Sequence, residues 1–122
     1  MTQEDKELLL RDLCARLPYG VKGVEANTLC SLNTVTRFKS IVKNIEYKIE
    51  HLGFKPYLFP LSSMTEEQSM EFALLQVNTH KDGFLYVCDC ANMMKWLLKN
   101  HFDIYGLIEK GLAIDATDKN IY

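Results

Sequence analysis

The pattern of apolar and polar positions predicts a helix at the start of the chain, over residues 1–17. The apolar residues of this segment recur at the spacing of one helical face: Leu10, Leu13, Cys14 and Leu17. Thr2 and Asp5 stand at the positions of a capping box. Pro18 ends the helix, because the residue before a proline is pushed out of helical backbone geometry.

The segment 65–114 is predicted to be mainly helical. Thr65 and Gln68 form a second capping-box pattern. The helix after them has a predicted buried stripe of apolar residues: Met70, Ala73, Leu74 and Val77. A short strand is predicted near 84–88, and Asp89 is a suitable cap for the next helix. The buried positions of that helix also follow helical spacing: Met94, Leu97, Leu98 and either His101 or Phe102.

The middle segment, residues 21–61, fits either a helix or a set of strands. On a helix, these apolar residues share one face: Phe38, Ile41, Val42, Ile45, Ile49 and Leu52. On a strand, Ile45, Tyr47 and Ile49 alternate with charged residues. Periodicity alone therefore leaves the structure of residues 37–52 open.

Composition places the chain among ordinary globular proteins, with 48% apolar and 25% charged residues. We expect residues 1–122 to form a single compact domain, because a chain of this length can bury one core. The N-terminus lacks the basic start and apolar centre of a secretory signal. No apolar stretch approaches the ~18 residues of a membrane span. We therefore expect a cytoplasmic protein with no membrane partner, whose cysteines are free thiols.

Distinctive sequences occur at residues 8–23, 55–68 and 100–114: LLLRDLCARLPYGVKG, KPYLFPLSSMTEEQ and NHFDIYGLIEKGLAI. In these segments the chain resembles a family of small uncharacterised proteins of gut anaerobic bacteria and their prophages. The middle of that family looks like consecutive short strands, so the resemblance favours β structure over residues 21–54. The implied fold class is α+β, a small curled antiparallel β-barrel of the Tudor or KOW type between an N-terminal helix and two or three C-terminal helices.

The same segments are predicted to meet in one core and so to record folding rather than a binding site. Their residues are mainly apolar or turn-forming, which is typical of packing. The residues concerned are Leu13, Leu17, Tyr57, Leu58, Leu107, Ile108 and Leu112.

Cysteine and histidine residues offer a weak case for metal or redox chemistry. Cys88 and Cys90 would supply two thiolates, with His80 or His101 as further ligands. Paired zinc-binding cysteines are usually separated by two to four residues, and the sequence has no second pair. It also has no nucleophile elbow, phosphate-binding loop or dinucleotide motif. We therefore expect no catalytic residues, no metal and no other cofactor.

Two groups of residues are candidates for binding. Basic side chains beside aromatic rings suit single-stranded nucleic acid: Arg37, Phe38, Lys39, Lys43, Tyr47 and Lys48. The net charge of −2 disfavours this partner. Tyr57 and Phe59, held extended between prolines, form a candidate peptide ledge, although such aromatic segments more often pack.

We therefore expect a non-enzymatic accessory protein of prophage or mobile-element origin that acts through contacts with another protein. A nucleic-acid-binding small barrel is the first alternative, because of the basic and aromatic residues of the middle segment. A thiol- or metal-dependent enzyme is the second alternative, because of Cys88 and Cys90.

Overall fold

The computed structural model describes residues 1–25, 27–32, 41–79 and 87–122. These residues form four α-helices and a four-stranded sheet. In chain order the elements are α1 (Gln3–Arg16), β1 (Val21–Glu25), β2 (Thr28–Leu32), α2 (Ile41–Leu52), β3 (Lys55–Leu58), α3 (Glu66–Thr79), α4 (Val87–Lys99) and β4 (Ile114–Asp115). The α+β class and the N-terminal helix are therefore confirmed.

The strands form an open mixed sheet in the order β2-β1-β3-β4, so the predicted closed barrel is wrong. β1 runs antiparallel to β2 and β3, whereas β3 runs parallel to β4. β1 and β3 approach closely at Gly23, where an added Cβ would clash with the carbonyl oxygen of Lys55. The parallel pairing brings β4, a strand near the end of the chain, into the sheet. A barrel built from the middle segment alone would not include this strand.

Residues 41–52 form helix α2, so the prediction of β structure over residues 21–54 is wrong for this segment. Residues 37–40 lie outside the described residues. Ile45 and Ile49, one helical turn apart, are buried in the core with Leu9 and Leu13 of α1. The helical spacing of the apolar residues was therefore the correct signal, because it gives α2 a continuous face against α1.

The prediction of a strand near 84–88 is wrong for its last two residues, because Val87 and Cys88 belong to helix α4. Residues 84–86 lie outside the described residues.

Both capping boxes are present as predicted. Thr2 Oγ1 accepts from the backbone N–H of Asp5 at 3.1 Å, and Thr65 Oγ1 accepts from that of Gln68 at 3.1 Å.

Helix α3 exposes three of the four residues whose stripe was predicted to be buried, and the side chain of the fourth, Val77, lies outside the described part of the structure. Met70 and Leu74 are 68% and 63% exposed, and Ala73 between them is also exposed. The residues packed against the rest of the fold are half-buried and lie on the opposite side: Gln68, Phe72 and Leu75. The helix has apolar residues on both sides, so its periodicity could not indicate which side would be covered.

One apolar core joins α1, α2 and the sheet to the segment after α4. Its buried residues include Leu13, Leu58, Leu107 and Leu112. Leu17 and Ile108 pack against it as half-buried residues. The prediction that the distinctive segments meet in one core is therefore confirmed for these residues. In the part of the chain that the structure describes, every helix is too short or too polar to cross a bilayer.

We expect Leu58→Ala and Leu107→Ala each to lower the free energy of unfolding by about 2–5 kcal/mol, because both side chains are fully buried. Leu61→Ala is the control, since Leu61 is 48% exposed, and its expected effect is within about 0.5 kcal/mol. Chemical denaturation measures all three variants. Wild-type stability in both core variants would contradict the packing role of these segments.

Candidate interaction surface

A buried ion pair on α1 fixes that helix to the chain after α4. Arg16 Nε donates to Asp12 Oδ2 at 2.7 Å, and Arg16 Nη2 donates to Asp12 Oδ1 at 3.0 Å. Nη2 also donates to the backbone carbonyl of Phe102. Both charged side chains are buried. Burial raises the pKa of the Asp12 carboxyl and outweighs the opposing effect of the guanidinium.

The sequence analysis missed this pair, although a signal for it was present. Asp12 and Arg16 are four residues apart, the spacing at which opposite charges meet on a helix. Both positions fall on the same face as Leu9 and Leu13, which are core residues. Charges placed on an apolar face predict a buried, paired role rather than a solvated one.

Backbone and side-chain hydrogen bonds hold the chain as it leaves α4. The backbone N–H of Phe59 donates to the His101 carbonyl, and that of Asp103 donates to the Phe59 carbonyl, both at 2.8 Å. The carboxylate of Asp103 accepts from the N–H groups of Leu107 and Ile108 at 2.9 and 3.0 Å. The end of α4 is therefore tied to β3 and to the following turn.

A stack of aromatic rings connects this anchored segment to α3. The ring centroid of Trp96 lies 5.8 Å from that of Phe102, with 16° between the planes. It lies 5.4 Å from that of Phe72 on α3, at 25°. Trp96 Nε1 also donates to Glu71 at 3.3 Å. Through these contacts the inner side of α3 packs against α4.

The opposite side of α3 carries Met70, Ala73 and Leu74, here called the outer face of α3. Its two large side chains lie one helical turn apart and are mostly exposed. Contiguous exposed apolar groups on a small protein mark interaction sites. The helix also carries the acids Glu66, Glu67 and Glu71, whereas its sequence contains neither lysine nor arginine.

The candidate nucleic-acid face is only partly described. Outside the described residues lie Arg37, Phe38 and Lys39. On helix α2 lie Lys43, Tyr47 and Lys48. Lys48 forms an ion pair with Glu25 of β1, so its charge is compensated within the fold. The ring of Tyr47 lies 4.8 Å from that of His51.

Tyr57 and Phe59, the candidate peptide ledge, are half-buried at the end of β3. The Tyr57 carbonyl accepts from the Tyr122 hydroxyl at 3.0 Å. The ring of Phe59 lies 6.4 Å from that of Phe102. Phe59 and Phe102 also line a recess of about 240 Å³ together with Ser63, Thr65 and Gln68. Phe59 therefore packs on one side and lines a concave surface on the other.

The two cysteines whose side chains the structure describes do not support thiol chemistry. Cys14 and Cys30 are free, and burial raises the pKa of both, which disfavours the reactive thiolate. Cys88 and Cys90 lie in the first turn of α4, and His80 lies outside the described residues. The absence of a metal stays a prediction. Within residues 1–25, 27–32, 41–79 and 87–122, no group of three histidine, cysteine or acidic side chains is arranged as metal ligands.

His101 has a structural environment rather than a catalytic one. Its ring stacks on that of Tyr122, with centroids 3.5 Å apart and 11° between the planes. Burial, with the positive charges of Arg16 and Lys22, lowers the pKa of His101 to about 4. The imidazole is therefore neutral at pH 7.

Comparison of the chain with protein-family models, with curated proteins and with solved structures found no match.

His101 gives the protein a measurable pH dependence. Its pKa falls from 6.5 to about 4 on folding, so the folded state binds fewer protons between these values. The stability that comes from the neutral ring is present above about pH 6.5 and is lost as the pH falls towards 4. We expect the free energy of unfolding to decline more steeply from pH 7 to about pH 4.5 in wild type than in His101→Asn.

Asparagine suits this test because His101 has a left-handed backbone, with φ of 64°, which asparagine tolerates. Denaturant titrations at a series of pH values measure the slope. His51→Asn, a change at an exposed position of α2, is the control and should keep the wild-type slope. Equal slopes in wild type and His101→Asn would contradict the burial of a neutral ring.

Proposed function

We propose that the protein is a non-enzymatic accessory protein, of prophage or mobile-element origin, that binds another protein through the outer face of α3. The supporting observation is the exposure of Met70 and Leu74 on a helix whose inner side is already packed. Covering apolar surface contributes roughly 25 cal/mol per Å². Methionine is common at docking surfaces, because its flexible and polarisable side chain adapts to a partner.

The charge of α3 favours a partner segment that is basic as well as apolar. Glu66 and Glu67 precede Met70 by four and three residues, so they lie one turn from it along the helix. A basic amphipathic helix would place its apolar residues on Met70 and Leu74 and its lysines or arginines beside these acids. The apolar contacts would supply most of the affinity, whereas the charges would set orientation and association rate.

A second copy of this chain is a poorer occupant of the same face. Two parallel α3 helices would bring Glu66 and Glu67 against the same acids of the other copy, and like charges repel. In an antiparallel pair these acids would face the uncharged C-terminal half of the other helix. Neither arrangement gives the acids a basic partner, which a heterologous helix does.

Binding of a synthetic amphipathic peptide tests the proposal. The probe is a labelled leucine–lysine helix as long as α3, with leucines at i, i+3, i+4 and i+7. Fluorescence anisotropy is expected to show saturable binding that Leu74→Glu weakens at least about tenfold, or 1.4 kcal/mol. Leu29→Glu is the matched control, since it makes the same change at a leucine that is 55% exposed on β2, and it should leave binding unchanged.

Two peptide controls separate shape from charge. A peptide of the same composition with scrambled leucines, and one with glutamate in place of lysine, should both bind more weakly. Equal binding by wild type and Leu74→Glu would contradict the proposed surface. A stable dimer in sedimentation analysis that Leu74→Glu dissociates would assign the face to a second copy and overturn the proposed partner.

A further inference from the structure

The recess beside the start of α3 has the size of one large side chain. It is lined by Phe59, Ser63, Thr65, Gln68 and Phe102, and its volume is about 240 Å³. Sites for whole cofactors or drug-sized ligands are larger, roughly 300–1,000 Å³. We infer that this recess, here called the Phe59 recess, is a binding pocket for one aromatic side chain of a basic peptide segment.

The aromatic lining of the pocket is held in place before any guest arrives. The planes of the Phe59 and Phe102 rings are tilted by 59°, and Phe59 supplies the ring surface for a guest because it is half-buried whereas Phe102 is only 1% exposed. Phe102 is buried and stacks on Trp96. The backbone of Phe59 is bonded on both sides, to His101 and Asp103. A pocket that is already formed loses little entropy when it binds.

The polar rim of the pocket suits a peptide backbone. Thr65 and Gln68 satisfy each other's backbone N–H groups with their side-chain oxygens, at 3.0 and 3.1 Å. The Gln68 amide nitrogen carries two further N–H donors, which can bond a carbonyl of the guest. Ser63 Oγ donates to the carbonyl of Pro60 at 2.7 Å, which fixes the turn that forms the near wall.

Charge next to the pocket indicates which residues flank the guest ring. Glu71 follows Gln68 by three residues, the spacing at which side chains on a helix are neighbours. Glu71 is exposed and accepts a hydrogen bond from Trp96 Nε1, and α3 contains no basic residue that would compensate its charge. A guest ring with a lysine or arginine beside it therefore matches the pocket in both shape and charge.

This pocket lies on the other side of α3 from the outer face, so the inference does not rest on the proposed function. Gln68 and Met70 are two positions apart on a helix, and side chains at that spacing point in opposite directions. Gln68 is accordingly half-buried, whereas Met70 is exposed.

The test uses acetyl-Lys-Phe-Lys-amide as the probe and Trp96 fluorescence as the signal. Trp96 is the single tryptophan of the chain, and its ring stacks on Phe102 in the pocket lining. Ser63→Met fills the recess from its wall, and we expect it to weaken the saturable response at least about tenfold. Ser62→Met places the same side chain on the exposed neighbour and should bind as wild type does.

Replacing the guest phenylalanine by alanine should abolish the response, and replacing its lysines by glutamates should weaken it. Nuclear Overhauser contacts between the peptide ring and the ring of Phe59 give a second measurement on wild type, which does not require a folded Ser63→Met variant. The inference is overturned if wild type gives no saturable response, if the alanine peptide binds equally well, or if those contacts are missing at saturation. Ser63→Met should still bind the leucine–lysine helix. Loss of binding to one of the two peptides would therefore contradict only the proposal that the peptide tests.

Discussion

The buried pair of Asp12 and Arg16 is the interaction on which the arrangement of the helices depends. Removing two charges from water costs several kcal/mol per ion, and only excellent geometry offsets that cost. Here the guanidinium holds the carboxylate at two points and reaches the Phe102 carbonyl across the fold. Among the described residues, Arg16 Nη1 has no hydrogen-bond partner, so the compensation is incomplete. The pair therefore specifies where α1 meets the end of α4 more than it adds to stability.

The position of α3 follows from that anchor. With the chain at residue 102 fixed, the ring of Phe102 supports Trp96, and Trp96 supports Phe72. Each ring contact contributes roughly 0.5–1.5 kcal/mol beyond its buried area. The same stack turns Met70 and Leu74 away from the body and leaves a recess between Phe59 and the start of α3. Both proposed binding surfaces are thus consequences of one packing arrangement.

Features that depend on near neighbours in the chain were predictable from the sequence. The capping boxes at Thr2 and Thr65 join residues three apart, so their signatures are local. The periodicity of α2 indicates its buried face, whereas the family resemblance favours β structure, which is wrong for residues 41–52. The exposure of Met70 and the pairing of β3 with β4 depend on distant parts of the chain, which local patterns do not contain. The place of Phe59 between prolines makes it a candidate in the sequence, whereas the recess that it lines depends on the fold.

The most direct test of this account is the free energy of unfolding of Asp12→Ala, measured by the fluorescence of Trp96. The substitution leaves the Arg16 charge buried without its partner, so we expect a loss of about 3–5 kcal/mol. Glu50→Ala is the control, because it removes an exposed ion pair with Lys6 and should change stability by at most about 1 kcal/mol. The near-ultraviolet circular dichroism of folded Asp12→Ala should also weaken as the rings around Trp96 lose their fixed positions. Wild-type stability with an unchanged aromatic signal would contradict the central role of the buried pair.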